Sequence, residues 1–149
     1  HFKVSNEYHK TIRFNHDIYL EIVRDFEYMY RWVSFSDERM PESTRIPYDQ
    51  FEHAYHQLMV ELVLLQVESI KMVNGKDNIE KLYIDGGFSD NDVYIQLISH
   101  YLRNMKLSTT DSSLGSALGA ALCISDVRLN SKFLKKNYAL KKHVPFIIQ

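Results

Sequence analysis

The run Leu58-Met-Val-Glu-Leu-Val-Leu-Leu65 constrains the fold more than any other part of this sequence. It lies inside a segment that keeps helical spacing from Phe51 to Ile70, with Asn74-Gly75 as a stop signal. A helix with one face in water needs a polar stripe, yet Glu61 is the run's single charged residue. We therefore expect the run to be almost wholly buried, with a sheet and another element covering more than one side.

Shorter patterns on either side of this helix predict further helices and strands. They are an extended arm or strand over 1–15, a helix over Asp17–Val33, a loop over 36–47, a strand over Lys81–Ile84, a helix over Asn91–Asn104, a strand over Met105–Thr109, a small-residue helix over Ser112–Ser125 and a lysine-rich, solvated tail. The strand–turn–helix–strand–helix order predicts an α/β fold with short strands packed against helices. The chain divides into 1–47 (arm, amphipathic helix and loop), 48–126 (core) and 127–149 (C-terminal tail).

Composition argues against several classes of protein. The 149 residues are enough for one domain with its own core. With 18 Lys and Arg against 19 Asp and Glu, the charge gives no reason to expect binding to nucleic acid or to a membrane. The lone Cys123 excludes an internal disulfide, as in a reducing cytoplasm, and no apolar run reaches the roughly 18 residues of a membrane span. We expect a cytoplasmic protein, and self-association into a homo-oligomer stays open.

The stretch Tyr83–Asp92 carries the most information about function. Gly86 and Gly87 follow a predicted strand and precede a predicted helix. Glycines let a ligand approach the backbone, and a helix N-terminus offers unpaired N–H groups to phosphate. On spacing alone a plain strand–helix turn is favoured. Asn91 likewise fits either an amide that binds a base or ribose, or a helix cap.

Two motifs in this order resemble the FGGY carbohydrate kinases. Asp85-Gly-Gly-Phe-Ser-Asp-Asn-Asp-Val-Tyr-Ile-Gln96 is similar to the family's Asp-Gly-Gly-Gly-Ser-Ala-Asn-Asp signature, which is followed by Met-Gln. Ser116-Ala-Leu-Gly-Ala-Ala121 is similar to the family's Thr-Ala-Leu-Gly-Ala-Ala. The resemblance covers about residues 48–126, and two ordered motifs are more specific than either alone. Within the family, the resemblance suggests a branch near the rhamnulose and fuculose kinases.

This resemblance implies an actin-like, ribonuclease-H-like ATPase fold of two lobes, with ATP, Mg²⁺ and a sugar bound between them. The present chain would be part of the C-terminal lobe. Gly86 and Gly87 match the glycines beside the nucleotide's phosphates, and Asn91 matches the asparagine that faces adenosine. Phe88 replaces a small residue, so its ring would stack beside the nucleotide or narrow the pocket. Asp90 also replaces a small residue and would add negative charge near the phosphates.

The family's catalytic machinery is not expected in this chain. The general-base aspartate of the family lies upstream of the matched region, and the aspartates before the core lack its surrounding pattern. Because the chain starts without Met and ends abruptly, we expect a fragment without the N-terminal lobe. It would contain neither a catalytic residue nor a metal site and would be inactive alone.

Two alternative interpretations remain open. The first is a degenerate kinase-like module that binds or interacts without catalysis. The second, a Rossmann-type dinucleotide binder, is weaker because no Gly-x-Gly-x-x-Gly follows a first strand. His53 and His56 are spaced for metal binding, but surface or interface histidines are the favoured interpretation.

Overall fold

The computed structural model describes residues 2–30, 48–74, 79–110 and 140–146 of the chain. A short 3-10 helix, Tyr8–Thr11, precedes three α-helices and three strands in mixed order. These are α1 (His16–Arg24), α2 (Phe51–Asn74), β1 (Lys81–Ile84), α3 (Asp92–Tyr101), β2 (Lys106–Thr109) and β3 (Lys141–Lys142). The predicted α/β class is confirmed at this level.

The strands form one small mixed sheet in the order β1-β2-β3. Strands β1 and β2 are parallel, in a register that runs from the pair Lys81 and Lys106 to the pair Ile84 and Thr109. Strand β3 pairs antiparallel with β2. Parallel strands need a crossover connection, which α3 supplies here. The carboxyl ends of β1 and β2 therefore meet at the same edge of the sheet.

The helices and the sheet share one apolar core. Its most deeply buried members are Val60 and Val63 on α2 and Val93 and Leu97 on α3, each with no exposed surface. All three predicted sections of the chain contribute to it, because Ile18 of α1 belongs to the cluster and Phe146 packs against it. The described parts of the three sections therefore stabilise one another.

The run on α2 was expected to be almost wholly buried. This is confirmed for the side of the helix that faces the core and is wrong for the opposite edge. The buried positions are Met59, Val60, Glu61 and Val63, whereas Leu58, Leu62 and Leu64 are partly buried. Leu65 is 40% exposed. Helices α1 and α3 both contact α2 but leave this edge uncovered. None of the helices in the described ranges, α2 included, has the length and hydropathy needed to cross a membrane.

The helix predicted over Asp17–Val33 is shorter than expected, because it ends at Arg24. The Glu61 carboxylate on α2 accepts hydrogen bonds from the main-chain N–H groups of Met29 (2.7 Å) and Tyr30 (3.1 Å). A buried side chain on another helix thus takes the bonds that a continued α1 would have made for itself. Residues 31–33 lie outside the described ranges.

The two ends of the described chain were predicted only in part. The arm, predicted as a strand or an extended segment, contains no strand over residues 2–15 and includes the 3-10 helix Tyr8–Thr11. In the tail, Lys141 and Lys142 are exposed as expected but form β3, and the Phe146 ring stacks on His100 with 4.3 Å between ring centroids. The predicted loop at 36–47, Gly75, the small-residue helix with Cys123 and the rest of the tail lie outside the described residues.

Truncating a leucine in the core is expected to destabilise the fold far more than truncating a leucine on the exposed edge of α2. Leu97→Ala should lower the free energy of unfolding by about 2–5 kcal/mol, because it leaves a cavity in the core. Leu65→Ala, on the exposed edge of α2, should cost less than about 1 kcal/mol. Urea denaturation followed by circular dichroism measures both. Equal losses in the two variants would contradict this packing.

The stability of the fold is expected to fall in mild acid because of His56. Burial lowers the pKa of His56, whose Nε2 accepts a hydrogen bond from the Asn15 N–H at 3.0 Å while Nδ1 lies 2.8 Å from the Glu52 carbonyl. The folded state thus binds the proton more weakly than the unfolded chain, whose histidines titrate near about pH 6.5. The stabilisation is complete above that value and is lost progressively as the pH falls from it toward the lower pKa of the folded state.

Urea midpoints at about pH 7.5 and about pH 5.5 test this expectation, because they lie on either side of the unfolded-state pKa. The midpoint should be lower at the acidic value, and His56→Gln should reduce the difference, leaving the part that His100 and His143 contribute because burial lowers their pKa too. His9→Gln, at an exposed position, is the matched control and should keep it. The same pH dependence in all three proteins would show that His56 is not its source.

Candidate functional site

The glycine turn after β1 requires glycine at one position. Gly86 has a φ of +81°, in the left-handed region that side chains other than glycine rarely adopt. Its carbonyl accepts hydrogen bonds from Ser89 N (3.0 Å) and Ser89 Oγ (2.8 Å), and its N–H donates to Asp85 Oδ1 (2.9 Å). The turn is therefore held in shape by its own residues.

The turn lies where the two parallel strands end. The Thr110 hydroxyl donates a hydrogen bond to Asp85 Oδ1 (2.6 Å), and the Thr110 N–H donates to the Ile84 carbonyl (3.2 Å). Ligands of α/β proteins bind outside the carboxyl ends of parallel strands. The space beyond Gly86 and Gly87 is open, since a Cβ built on either would meet nothing within 4 Å. Both predicted glycines thus leave room for a ligand against the backbone.

Asn91 is the N-cap of helix α3. Its Oδ1 accepts a hydrogen bond from Tyr94 N (3.1 Å), and its Nδ2 donates to the Tyr55 hydroxyl (2.8 Å) and contacts Met59 Sδ at 3.3 Å. The capping interpretation of this residue is confirmed. Both amide hydrogens of Asn91 face α2, so a contact with a base would use the remaining lone pair of Oδ1 or exchange one of these bonds.

Phe88 stands on the outer side of the turn. Its ring packs against Tyr94, with ring centroids 4.6 Å apart, and 43% of the residue is exposed. The packing fixes one face of the ring and leaves part of it open to solvent. Asp90, the other departure from the family motif, is exposed and adds a carboxylate to this surface.

A cleft of about 530 Å³ separates the glycine turn from the N-terminal arm. The arm side is lined by His9, Lys10, Ile12 and Arg13, and the opposite side by Tyr55, Gly87, Asp90, Asn91 and Asp92. Three hydrogen bonds join the arm to α2 and α3: the Phe14 N–H donates to Asp92 Oδ2 (2.8 Å), the Asn15 N–H to His56, and the Tyr8 hydroxyl to Glu52 Oε1 (3.0 Å). The cleft is thus built between parts of the chain that are distant in sequence.

The two sides of the cleft offer different chemistry. Lys10 and Arg13 bring positive charge on the arm side; Lys10 also pairs with Glu7. The Arg13 guanidinium makes long hydrogen bonds to the carbonyls of Lys10 (3.4 Å) and Ile12 (3.5 Å). The turn side offers the positive end of the α3 dipole. An anion bound here would meet the cations of the arm on one side, and on the other the positive end of α3 together with the carboxylates of Asp90 and Asp92.

Sequence reasoning missed the arm side of this cleft. Arg13 and Gly87 are separated by more than a third of the chain, and no motif links them. The nearest signal was the charge of the arm, with Lys10 and Arg13 close together, which the resemblance did not cover.

The residues at this site do not fit a metal held by protein ligands alone. Over the described ranges, no three His, Cys, Asp or Glu side chains come together in a way that could hold a metal ion. The carboxylates of Asp85 and Asp92 accept hydrogen bonds from Thr110 and from the Phe14 N–H. Mg²⁺ often binds through substrate phosphates and water with only one or two carboxylates, so it would reach this cleft with its nucleotide.

Comparisons of the chain with protein-family models, with curated proteins and with solved structures found no match. The resemblance to the carbohydrate kinases therefore stays a prediction from two motifs. The first forms the turn and the start of α3, whereas the second, Ser116–Ala121, lies outside the described residues.

The two glycines are expected to differ in what they contribute to stability. Gly86→Ala forces a side chain into the left-handed region and should cost about 1–2 kcal/mol of folding free energy. Gly87→Ala places its methyl group in open space and should change stability by less than about 0.5 kcal/mol. Chemical denaturation of the two variants compares these costs. A larger loss for Gly87→Ala would mean that the turn is built differently.

Proposed function

We propose that this chain is the nucleotide-binding lobe of an ATP-dependent carbohydrate kinase. The observation that carries the proposal is the glycine turn, which ends a parallel strand, opens on a cleft and leads directly into the N-terminus of α3. The motif similarity supplies the reaction class, and the cleft's chemistry is compatible with it. The proposal includes the family's two-lobed, ribonuclease-H-like fold, of which the β1–α3–β2 unit would be part.

The phosphates of ATP would lie over Gly86 and Gly87. At this position they meet the positive dipole end of α3, and the open space beside both glycines lets them approach the backbone. Lys10 and Arg13 face them from the arm side of the cleft. Each of these groups favours negative charge, which is why phosphate is the ligand that best fits this part of the site.

The adenosine would lie toward Phe88 and Asn91. The exposed part of the Phe88 ring offers a surface on which a base stacks. Asn91 contributes mainly by fixing the start of α3, since both of its amide hydrogens already have partners on α2. This role explains why an asparagine is needed even without a direct base contact.

The remaining chemistry would come from the other lobe. Phosphoryl transfer requires a base beside the sugar hydroxyl and Mg²⁺ to neutralise the charge that develops on the phosphates. This chain would hold the nucleotide and orient its phosphates, whereas the N-terminal lobe would bind the sugar and supply the base. Such an enzyme would work in the cytoplasm, where ATP is available.

A degenerate binding module is the second candidate. Asp90 and Asp92 line the same cleft as Gly87, and their carboxylates oppose the approach of a polyphosphate. If that repulsion exceeds the attraction of Lys10, Arg13 and the helix dipole, the lobe would keep its fold but would no longer bind ATP.

Filling the space over Gly87 is expected to weaken ATP binding. In the protein with both lobes, Gly87→Val should raise the dissociation constant for ATP by about tenfold or more, because its side chain keeps the phosphates off the backbone. Gly87→Ala, as the smaller matched change, should have a weaker effect. Calorimetric titration measures the affinity, and circular dichroism confirms that the fold is intact. Unchanged ATP affinity in a folded Gly87→Val variant would refute the assignment.

A coupled assay of ADP release tests the reaction itself. The protein with both lobes should turn over with a deoxy-ketose or a related sugar when rhamnulose, fuculose, xylulose, ribulose and glycerol are compared, and the 149-residue chain alone should not. Sugar-dependent turnover by the 149-residue chain would disprove the division of roles between the lobes. Failure of the two-lobed protein on every sugar would favour the degenerate module.

A further inference from the structure

The described C-terminal segment, residues 140–146, packs against the N-terminal arm; we call this segment the strap. The contact is made by the partly buried ring of Phe146. Its centroid lies 4.6 Å from that of Phe14, in the arm, and 5.8 Å from that of His16, the first residue of α1. The segments that begin and end the described chain therefore support each other.

Two buried residues of the helices complete the socket that holds Phe146. His100 of α3 stacks on the ring, with 4.3 Å between centroids and 11° between planes, and Tyr19 of α1 meets it edge-on at 5.5 Å. His100 Nδ1 also lies 3.4 Å from the Phe146 carbonyl, which can only accept a hydrogen bond from it. Because Tyr19 and His100 are buried, Phe146 joins the arm to a part of the core that is itself fixed.

The other attachment of the strap is to the sheet. Lys141 and Lys142 form β3, a strand of two residues that pairs with the end of β2. The His143 N–H donates to the Leu107 carbonyl (3.1 Å), and its Nε2 shares a hydrogen bond with Thr109 Oγ1 (2.9 Å). A ladder this short opens at a lower free energy than the core helices do. We therefore expect the strap to leave the sheet from time to time while the core stays folded.

The part of the arm that Phe146 contacts is also the part that reaches the cleft. Arg13, which lines the cleft, directly precedes Phe14 in the chain. The Phe14 N–H donates to Asp92 Oδ2 (2.8 Å), and the next N–H, of Asn15, donates to His56 Nε2 (3.0 Å). The ring contact and these two main-chain hydrogen bonds thus act on adjacent residues. Loss of the ring contact should weaken both bonds and free the backbone that carries Arg13.

We infer that the strap sets the position of the arm side of the cleft through Phe146. With the ring in its socket, Phe14 is held and Arg13 faces the cleft; with the strap undocked, the arm opens more often. Phe146 acts as a positioning residue, since it is not among the described residues that line the cleft. The inference rests on the proposed function only in naming ATP as the ligand. By linkage, that ligand stabilises the docked strap by the factor by which the docked strap tightens its binding.

Amide hydrogen exchange in the 149-residue chain, followed by NMR without any ligand, tests the link between strap and arm. Phe146→Ala should accelerate exchange at the hydrogen-bonded amides of Phe14 and Asn15. The acceleration there should be about tenfold greater than at the core amides of Leu97 and Ile98, because the arm opens locally while the core helices stay closed. Equal acceleration at all four amides, or none at the two arm amides, would overturn the inference.

Two further variants keep this test decisive. Val144→Ala shortens a side chain of the same strap that is 80% exposed, so it is the matched control and should leave the exchange at Phe14 and Asn15 unchanged. Phe146→Leu keeps an apolar side chain in the socket and should accelerate exchange at these two amides less than Phe146→Ala does. If Phe146→Ala does not fold, Phe146→Leu decides the outcome by the same comparison with the core amides.

Adding ATP with Mg²⁺ tests the link between strap and cleft. Saturating ATP should slow exchange of the His143 amide, which bonds to the Leu107 carbonyl, by about threefold or more. Phe146→Ala should raise the dissociation constant for ATP by a similar factor, measured by calorimetric titration. Arg13→Gln should abolish the effect of ATP on the His143 amide, because the arm then has lost the charge that meets the ligand.

The contrary outcomes separate this inference from the proposed function. If ATP binds but neither slows the His143 amide nor loses affinity in Phe146→Ala, the strap does not position the cleft and the inference is overturned, while the nucleotide site remains. If ATP does not bind at all, the proposed function fails. Exchange at Phe14 and Asn15 without ligand then still decides whether the strap holds the arm.

Discussion

The hydrogen bond between Asn91 and Tyr55 determines where the candidate site lies. The Asn91 side chain caps α3 through the Tyr94 N–H and binds α2 through Tyr55, so one amide joins the start of one helix to the side of another. The glycine turn immediately precedes this cap, and its position against the core follows from it. Because α2 is the longest helix in the described ranges, the turn is fixed to the most extensively packed element of the fold.

The rest of the site forms around this fixed point. The crossover through α3 brings the ends of β1 and β2 together, and the bond from Thr110 to Asp85 holds those two ends. The arm reaches the same place because Asp92, in the first turn of α3, accepts the Phe14 N–H. Three separate segments of the chain thus meet at one helix terminus, which is also where an anion is most favoured.

Local patterns predicted part of this structure. Helices α2 and α3 and strands β1 and β2 were predicted from the spacing of apolar residues within each segment. The turn at Gly86 was predicted from the two consecutive glycines. The end of α1 could not be predicted, because the buried Glu61 on another helix takes over the N–H groups of the following segment. The arm side of the cleft depends on tertiary contacts, and the charges of Lys10 and Arg13 did not indicate which surface they would face.

If phosphate groups bind at the turn and at the N-terminus of α3, the amide resonances of these residues should shift when a nucleotide is added. In a titration of the isotopically labelled chain with ATP and Mg²⁺, the largest shifts should occur at the N–H groups of Gly86, Gly87 and residues 89–93. AMP should produce smaller shifts at the same amides, because it carries less negative charge. Shifts confined to other parts of the chain, or no shifts at saturating ATP, would show that phosphate does not bind at the turn.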